Sequence, residues 1–150
     1  MGVEVFVATA ITDDIVEAFV HLTPQLSPLA PAPTKAQLQS IVDHDACDLL
    51  IARDRDDTIL GSMTLVLFPI PTGIRGWIED VVVDEAARGK GVGELLNRHA
   101  LDIAKARGAK TVDLTSRPSR VAANKLYQKL GFVLRDTNVY RFAEPSQQLS

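Results

Sequence analysis

A run of β-branched residues followed by three closely spaced glycines constrains the fold of this chain more than any other stretch. Residues 81–83 are all valine and are typical of a buried strand, and a short polar segment separates them from Gly89, Gly91 and Gly93. Apolar side chains then recur with helical spacing from Val92 onward. The stretch therefore predicts a strand, a glycine-rich turn and a helix in immediate succession.

The predicted turn has the properties of an anion-binding site. The first N–H groups of a helix have no partner inside the helix, and the helix dipole adds partial positive charge there. Glycines lack a Cβ and let an anion approach the main chain, while Arg88 and Lys90 add cationic side chains of the kind that pair with phosphate. We therefore expect a phosphate-bearing ligand at this turn.

The spacing of the glycines decides between the known phosphate-binding loops. The chain lacks the G-x-x-x-x-G-K-[ST] pattern of a P-loop, because Lys90 is followed by Gly91, and its glycines do not fit the dinucleotide pattern G-x-G-x-x-G. The chain has Arg88-x-x-Gly91-x-Gly93 after a hydrophobic strand and a short loop. This arrangement resembles the loop that binds the pyrophosphate of acyl-CoA in the GNAT superfamily of N-acetyltransferases.

The predicted order of elements, β-α-α-β-β-β-α-β-α-β-β, indicates an α/β fold. A helix joins the strands at residues 81–83 and 112–115, so we expect those two strands to be parallel with a right-handed crossover. The expected architecture is a mixed, mostly antiparallel central sheet with a parallel central strand pair, flanked by helices, and it is similar to the GNAT fold. Residues 1–143 would form a single domain, and residues 144–150 would be a flexible tail.

Local signals predict where several elements begin and end. Thr12 is expected to cap the first helix, and this helix should stop before Pro24. Thr34 starts a T-x-x-Q capping box that opens the second helix. Short strands are expected near residues 132–135 and 139–142.

Residues 123–132 extend the resemblance, because they fit the A-N-x-x-Y-x-x-x-G-F pattern of the family's closing helix. The resemblance implies that Asn124 contacts the pantetheine arm of acyl-CoA, that Tyr127 is the general acid for the departing sulfur, and that the main chain of residues 81–83 pairs with the arm. The alternatives are a solvated polar residue for Asn124 and a core aromatic for Tyr127. The residues assigned to acetyl-CoA binding are Val81, Val82, Val83, Arg88, Gly89, Lys90, Gly91, Val92, Gly93 and Asn124.

The catalytic base is expected among two carboxylates that precede the valine run. An alkylammonium has no lone pair, so the attacking amine must first lose a proton. Glu79 and Asp80 project to opposite faces of a strand, so one of them should be partly buried, with its pKa raised toward the working range of a base. The resemblance favours Glu79, with Asp80 second, and a solvated or ion-paired carboxylate is the alternative. Ser116, Arg117 and Arg120 could reach the adenosine 3′-phosphate or an anionic acceptor, or they could be capping and surface residues. Tyr140 could line the acceptor pocket, and packing in the core is the favoured alternative.

Composition limits the classes of binding partner and the cellular compartment that we expect. The net charge of −3 argues against nucleic acid or an anionic membrane as partner. The single Cys47 cannot form an internal disulfide, which suits a reducing cytoplasm, and the three histidines lack metal-ligand spacing. The first residues lack the basic and apolar regions of a signal peptide. We therefore expect a cytoplasmic protein that uses no metal.

The glycine-rich turn, the pattern at residues 123–132 and the resemblance that they carry together favour an acyl-CoA-dependent N-acetyltransferase. The resemblance implies that it takes acetyl-CoA as co-substrate and transfers the acetyl group directly in a ternary complex. The acceptor would be a primary amine of a small molecule or a peptide, and the sequence leaves open which one, as well as whether the chain acts as a homodimer. The alternative from another class is a non-catalytic acyl-CoA-binding or sensing module. A dinucleotide-binding oxidoreductase is a distant third, because the glycine spacing is wrong for it.

Overall fold

The computed structural model describes residues 2–147, which contain five strands and four α-helices. The chain forms two compact units, one up to Thr115 and one from Ser116 onward. The last three residues of the expected tail, 148–150, lie outside the described residues. In chain order the elements are β1 (Glu4–Val7), α1 (Asp13–Leu26), α2 (Lys35–Val42), β2 (Cys47–Arg53), β3 (Ile59–Ile70), β4 (Gly73–Val83), α3 (Val92–Ala106), β5 (Ala109–Asp113) and α4 (Val121–Lys129).

The first unit is built on one sheet with the strand order β1-β2-β3-β4-β5. Neighbouring strands are antiparallel except β4 and β5, which are parallel and are connected through α3. The mixed, mostly antiparallel sheet with one parallel pair is therefore confirmed. Within the described residues the parallel pair lies at one side of the sheet, with β5 as its last strand.

Helices cover both faces of the inner strands. β2 is buried along five consecutive residues, which indicates cover on both sides, because successive side chains of a strand point to opposite faces. On one face, Leu49 and Ile51 cluster with Ile15 of α1 and Leu38 of α2. α3 packs against β2, β3, β4 and β5, and its Leu96 is fully buried. Because α3 is packed against the sheet, the end of β4 and the start of α3 are held in place relative to each other.

The first helix is longer than the sequence predicts. The expected end before Pro24 is wrong, since α1 continues through Pro24 to Leu26. Pro24 removes one N–H from the ladder, but so near the end of a helix the loss is small compared with that in a helix interior. The Ser27 N–H donates to the Thr23 carbonyl at 2.9 Å, and the Gln25 side chain hydrogen-bonds outside the helix, so the last turn has partners of its own.

The two late strands that the sequence predicts are not present. Residues 132–135 and 139–142 belong to no strand, and their apolar side chains other than that of Phe132 are exposed, with Leu134 and Phe142 at 91% and 93% of full accessibility. Strand preference in such residues mostly reflects packing against cross-strand neighbours. Without a neighbouring strand to pack against, the strand preference of these residues is not enough to form a strand.

The first residues of α1 and α2 differ in their capping hydrogen bonds. The Thr34 capping box is confirmed, because its hydroxyl accepts the Gln37 N–H at 3.1 Å and the Gln37 side chain accepts the Thr34 N–H at 2.8 Å. Thr12 is the N-cap residue of α1, but its side chain accepts no main-chain N–H, and its hydroxyl donates to Asp14. The expected position of the cap at Thr12 is thus confirmed, while the expected side-chain capping bond is not formed.

Thr34→Ala is expected to lower the free energy of unfolding by about 1 kcal/mol, because it removes the N-cap acceptor. The matched Thr12→Ala change should cost a few tenths of that, roughly 0.3 kcal/mol, since no capping bond is lost. Urea denaturation of both variants measures the difference. Equal losses would contradict the assignment of the caps.

Candidate functional site

The carboxyl-terminal half of β4 has a free edge. β4 pairs with β5 only from Ile74–Ala109 to Trp77–Asp113. Beyond Trp77, β4 continues to Val83 with pairing to β3 alone in the part of the chain that the structure describes. The N–H and C=O groups of residues 78–83 that point away from β3 are thus available to an extended ligand that carries amides.

A β-bulge lies within this free half of β4. Ser62 pairs with Val82 and Thr64 pairs with Glu79, so a single β3 residue between them faces two residues of β4. One of those two, Asp80, has a φ of +53°, a left-handed conformation that few residues other than glycine adopt. Such strained residues cluster at binding and catalytic sites. The bulge therefore marks this half of β4 as a candidate site.

The two carboxylates at the bulge are both exposed. The expectation that one of Glu79 and Asp80 is partly buried is wrong, and the expected alternation of faces is interrupted there by the bulge. Glu79 is held by Trp77, whose indole N–H donates to its Oε1 at 2.5 Å. Sequence reasoning missed Trp77, although the period of two along a strand places both residues on the same face.

The predicted glycine loop, defined as residues 88–93, is present between β4 and α3. A single turn of 3-10 helix, Glu85–Ala87, leads into it, and Gly91 is the N-cap of α3. Gly89 and Gly91 have φ values of +79° and +81°, which require glycine or a strained residue. Within the described residues, the main-chain N–H groups of residues 89–93 have no protein acceptor. This cradle of unpaired N–H groups at a helix start fits a diphosphate.

The side chains of the loop divide into two kinds. Val92 is 1% exposed, so it anchors the helix start in the core and can offer a ligand only its main chain. Arg88 and Lys90 are exposed, and the Arg88 Nε donates to the Val83 carbonyl at 3.3 Å. That bond ties the arginine to the end of β4, and its planar guanidinium retains further donors for an anion.

The second unit contains the closing helix, α4. The Asn124 amide nitrogen donates to the carbonyl oxygens of Arg117 and Arg120 at 2.9 and 2.8 Å, so it organises the turn that precedes α4. The amide oxygen of Asn124 is the part that can still accept a hydrogen bond from a ligand.

Tyr127 lies one turn later on α4 and is 6% exposed. Its ring meets that of Phe132 edge to face, with centroids 5.7 Å apart and an interplanar angle of 72°. Burial raises the pKa of the Tyr127 hydroxyl, although the charge of Arg120 opposes the change. The hydroxyl therefore keeps its proton at neutral pH, and within the described residues no protein group hydrogen-bonds to it.

Arg117 and Arg120 thus contribute main-chain acceptors to the turn before α4, and the expected packing of Tyr140 in the core is wrong. Tyr140 is 88% exposed, and the Ser116 hydroxyl is covered without a hydrogen-bond partner. Among residues 2–147, no three His, Cys, Asp or Glu side chains converge as metal ligands. The helices in that range are too short or too polar to cross a membrane.

Comparison with known proteins gives consistent matches. The model of the acetyltransferase (GNAT) family matches residues 10–132. Glucosamine 6-phosphate N-acetyltransferase 1 of Oryza sativa subsp. japonica is 34% identical over 84% of this chain and 79% of the rice protein. A mycothiol acetyltransferase of Beutenbergia cavernae is 36% identical over 55% of this chain, which spans only 27% of that protein. The crystal structure of a Trypanosoma brucei acetyltransferase superposes with a TM-score of 0.75 at 25% identity, over 94% of this chain and 99% of the other.

Proposed function

Because the chain belongs to the acetyltransferase (GNAT) family, we propose that it transfers an acetyl group from acetyl-CoA to a primary amine of a small molecule or a peptide. Transfer is direct, with both substrates bound at once. The observation that carries the proposal is the set of unpaired N–H groups at residues 89–93, which follows directly on the free half of β4. A diphosphate and an amide-bearing arm need those two features side by side.

The chain's own groups divide the binding of acetyl-CoA between them. The glycine loop takes the diphosphate, with Arg88 and Lys90 adding positive charge, and the main chain of residues 81–83 takes the pantetheine arm. The Asn124 amide oxygen accepts from an amide of that arm. Acetyl-CoA supplies the thioester, and holding it beside the amine replaces much of the entropic cost of a bimolecular reaction.

Two side chains handle protons in the proposed reaction. Glu79, held by the Trp77 indole N–H, takes the proton from the attacking amine directly or through a water molecule. Tyr127, whose raised pKa keeps it protonated, donates its proton to the departing thiolate. The base and the acid are thus separate groups, and neither has to perform both proton transfers.

The acceptor class is proposed from the relatives. The rice relative is named for glucosamine 6-phosphate, so amino sugars and their phosphates are the first acceptors to test. Other amines, peptide N-termini among them, complete the panel. The test incubates the protein with acetyl-CoA and each amine and follows the release of free thiol. Acetyl-CoA binding without thiol release for any amine would favour a non-catalytic acyl-CoA-binding module instead.

We further propose that the protein works in the cytoplasm. Support comes from Cys47, the single cysteine, which has no partner for an internal disulfide and so suits a reducing compartment.

Cys47 is free and half-buried. Burial raises the pKa of its thiol, and the negative charge of Asp48 adds to that effect, so the nucleophilic thiolate is disfavoured. Cys47 is therefore not a candidate for a covalent acetyl intermediate, which agrees with direct transfer.

The choice of base is tested with a matched pair of isosteric changes. Glu79→Gln is expected to lower kcat/KM for the amine about tenfold, which is less than the usual contribution of a general base (about 10²–10⁴-fold), because water can partly replace an exposed carboxylate. Asp80→Asn should change it less than about twofold, since asparagine also tolerates the left-handed conformation of Asp80. Steady-state kinetics at fixed pH measures both. The reverse order would make Asp80 the base.

A further inference from the structure

The last turn of α1 is hydrogen-bonded to the turn that leads into the glycine loop. The Gln25 side-chain oxygen accepts the Glu85 N–H at 2.8 Å, and the Gln25 amide nitrogen lies 3.5 Å from Asp84 Oδ1. One turn earlier on α1, the His21 Nε2 lies 3.0 Å from Asp84 Oδ2. Two side chains of α1 therefore contact the two residues that follow β4, sixty residues further along the chain.

Asp84 is the centre of these contacts. Its side chain is 14% exposed, and it caps the Glu85–Ala87 turn by accepting the Ala86 N–H at 3.2 Å. Burial raises the pKa of Asp84, but the hydrogen bonds from Ala86, Gln25 and His21 outweigh burial and hold that pKa below its ordinary value. The carboxylate is thus charged at neutral pH and can hold all three partners.

The chemistry of Gln25 suits this position better than that of a charged residue. The site requires an acceptor for a main-chain N–H and a donor for a carboxylate, and a side-chain amide provides both. A glutamate would place a second negative charge beside Asp84, and a lysine would offer no acceptor. Because the Glu85–Ala87 turn continues directly into Arg88, a displacement of this turn also displaces the start of the loop.

We propose that Gln25 and His21 are positioning residues that hold the glycine loop in the conformation that binds the diphosphate of CoA. The inference rests on the proposed function of the loop. It assigns to α1 a part in binding acetyl-CoA, although neither side chain contacts the loop's unpaired N–H groups. A preorganised loop binds more tightly, because less ordering has to accompany binding.

Gln39 provides a matched control. Its side-chain oxygen also accepts a distant main-chain N–H, that of Ile11 at 3.1 Å, and its amide nitrogen donates to Asp43 at 2.9 Å. Gln39 therefore makes the same kind of bonds as Gln25, on α2 rather than α1, and none of them involves the glycine loop. Gln39→Leu reports the general cost of losing such bonds.

The experiment compares Gln25→Leu with Gln39→Leu by calorimetric titration with CoA and by steady-state kinetics. Gln25→Leu is expected to raise the Kd for CoA and the KM for acetyl-CoA about tenfold, with kcat at saturation within about twofold of wild type. Gln39→Leu should leave all three constants unchanged. Thermal unfolding of both variants shows how much stability each one loses.

If Gln25→Leu does not fold, His21→Ala replaces it in the test, because the His21 side chain is 63% exposed and its loss should not disturb folding. His21→Ala is expected to raise the Kd for CoA about threefold. Wild-type CoA affinity in both α1 variants would overturn the inference, as would an equal loss of affinity in Gln39→Leu. Wild-type protein is titrated first, because failure of wild type to bind CoA would overturn the proposed function itself rather than the role of α1.

Discussion

Gly91→Val is expected to weaken CoA binding at least about a hundredfold while the chain still folds. Gly91 has a φ of +81° at the N-cap of α3, and its N–H is one of the unpaired groups of the glycine loop. A β-branched residue disfavours that conformation, and the main chain would rotate to relieve it. The rotation redirects the neighbouring N–H groups, and the new side chain stands where a diphosphate would approach.

The surroundings of Gly91 explain why the fold should survive. A Cβ built at Gly91 meets no other atom within 4 Å, so the valine clashes with nothing in the protein itself. The cost to stability is then mainly backbone strain, about 1–3 kcal/mol. The expected loss thus concerns the ligand rather than the core.

Gly108 offers a control at the opposite end of the same helix. Its φ is +80°, and a Cβ there also meets no atom within 4 Å. Gly108→Val should therefore reduce the free energy of unfolding about as much as Gly91→Val does, with CoA affinity unchanged. Calorimetric titration with CoA, together with urea denaturation of both variants, makes the comparison. If Gly91→Val bound CoA with wild-type affinity, the proposal that the diphosphate binds at this loop would be wrong.

The parts of the site that are formed by contiguous residues could be predicted from the sequence. The valine run, the glycine loop and the start of α3 follow from local rules, because β-branched residues, left-handed glycines and a helix start each leave a short-range signal. The Thr34 capping box is of the same kind, since its two reciprocal bonds span only three residues. In these stretches the local preferences agree with the final structure.

What could not be predicted depends on residues far apart in the chain. α1 runs past Pro24 because its last turn is hydrogen-bonded to residues 84 and 85, which no local rule anticipates. The bulge at Asp80 follows from the register between β3 and β4, and Glu79 beside it is exposed. Residues 132–142 have the composition of strands, but their apolar side chains lack the cross-strand neighbours that would make them so.

Tyr127→Phe is expected to lower kcat at least about tenfold, within the usual range for loss of a general acid. The change removes only the hydroxyl, so the edge-to-face contact with Phe132 and the burial of the ring are retained. The KM for acetyl-CoA should stay within about twofold, because the hydroxyl is proposed to act on the departing thiolate rather than to bind the nucleotide.

The matched control for Tyr127→Phe is Tyr140→Phe, which removes the same atom from a tyrosine that is 88% exposed and should leave kcat unchanged. The pH dependence adds a second test. Since burial raises the pKa of Tyr127, the acid is protonated below that pKa and is lost as pH rises through it, so the fall in wild-type kcat that depends on Tyr127 should come in the alkaline range. Tyr127→Phe should lack that alkaline fall. A kcat equal to that of wild type in Tyr127→Phe would mean that the leaving thiolate takes its proton from another source and that Tyr127 is a packing residue of α4.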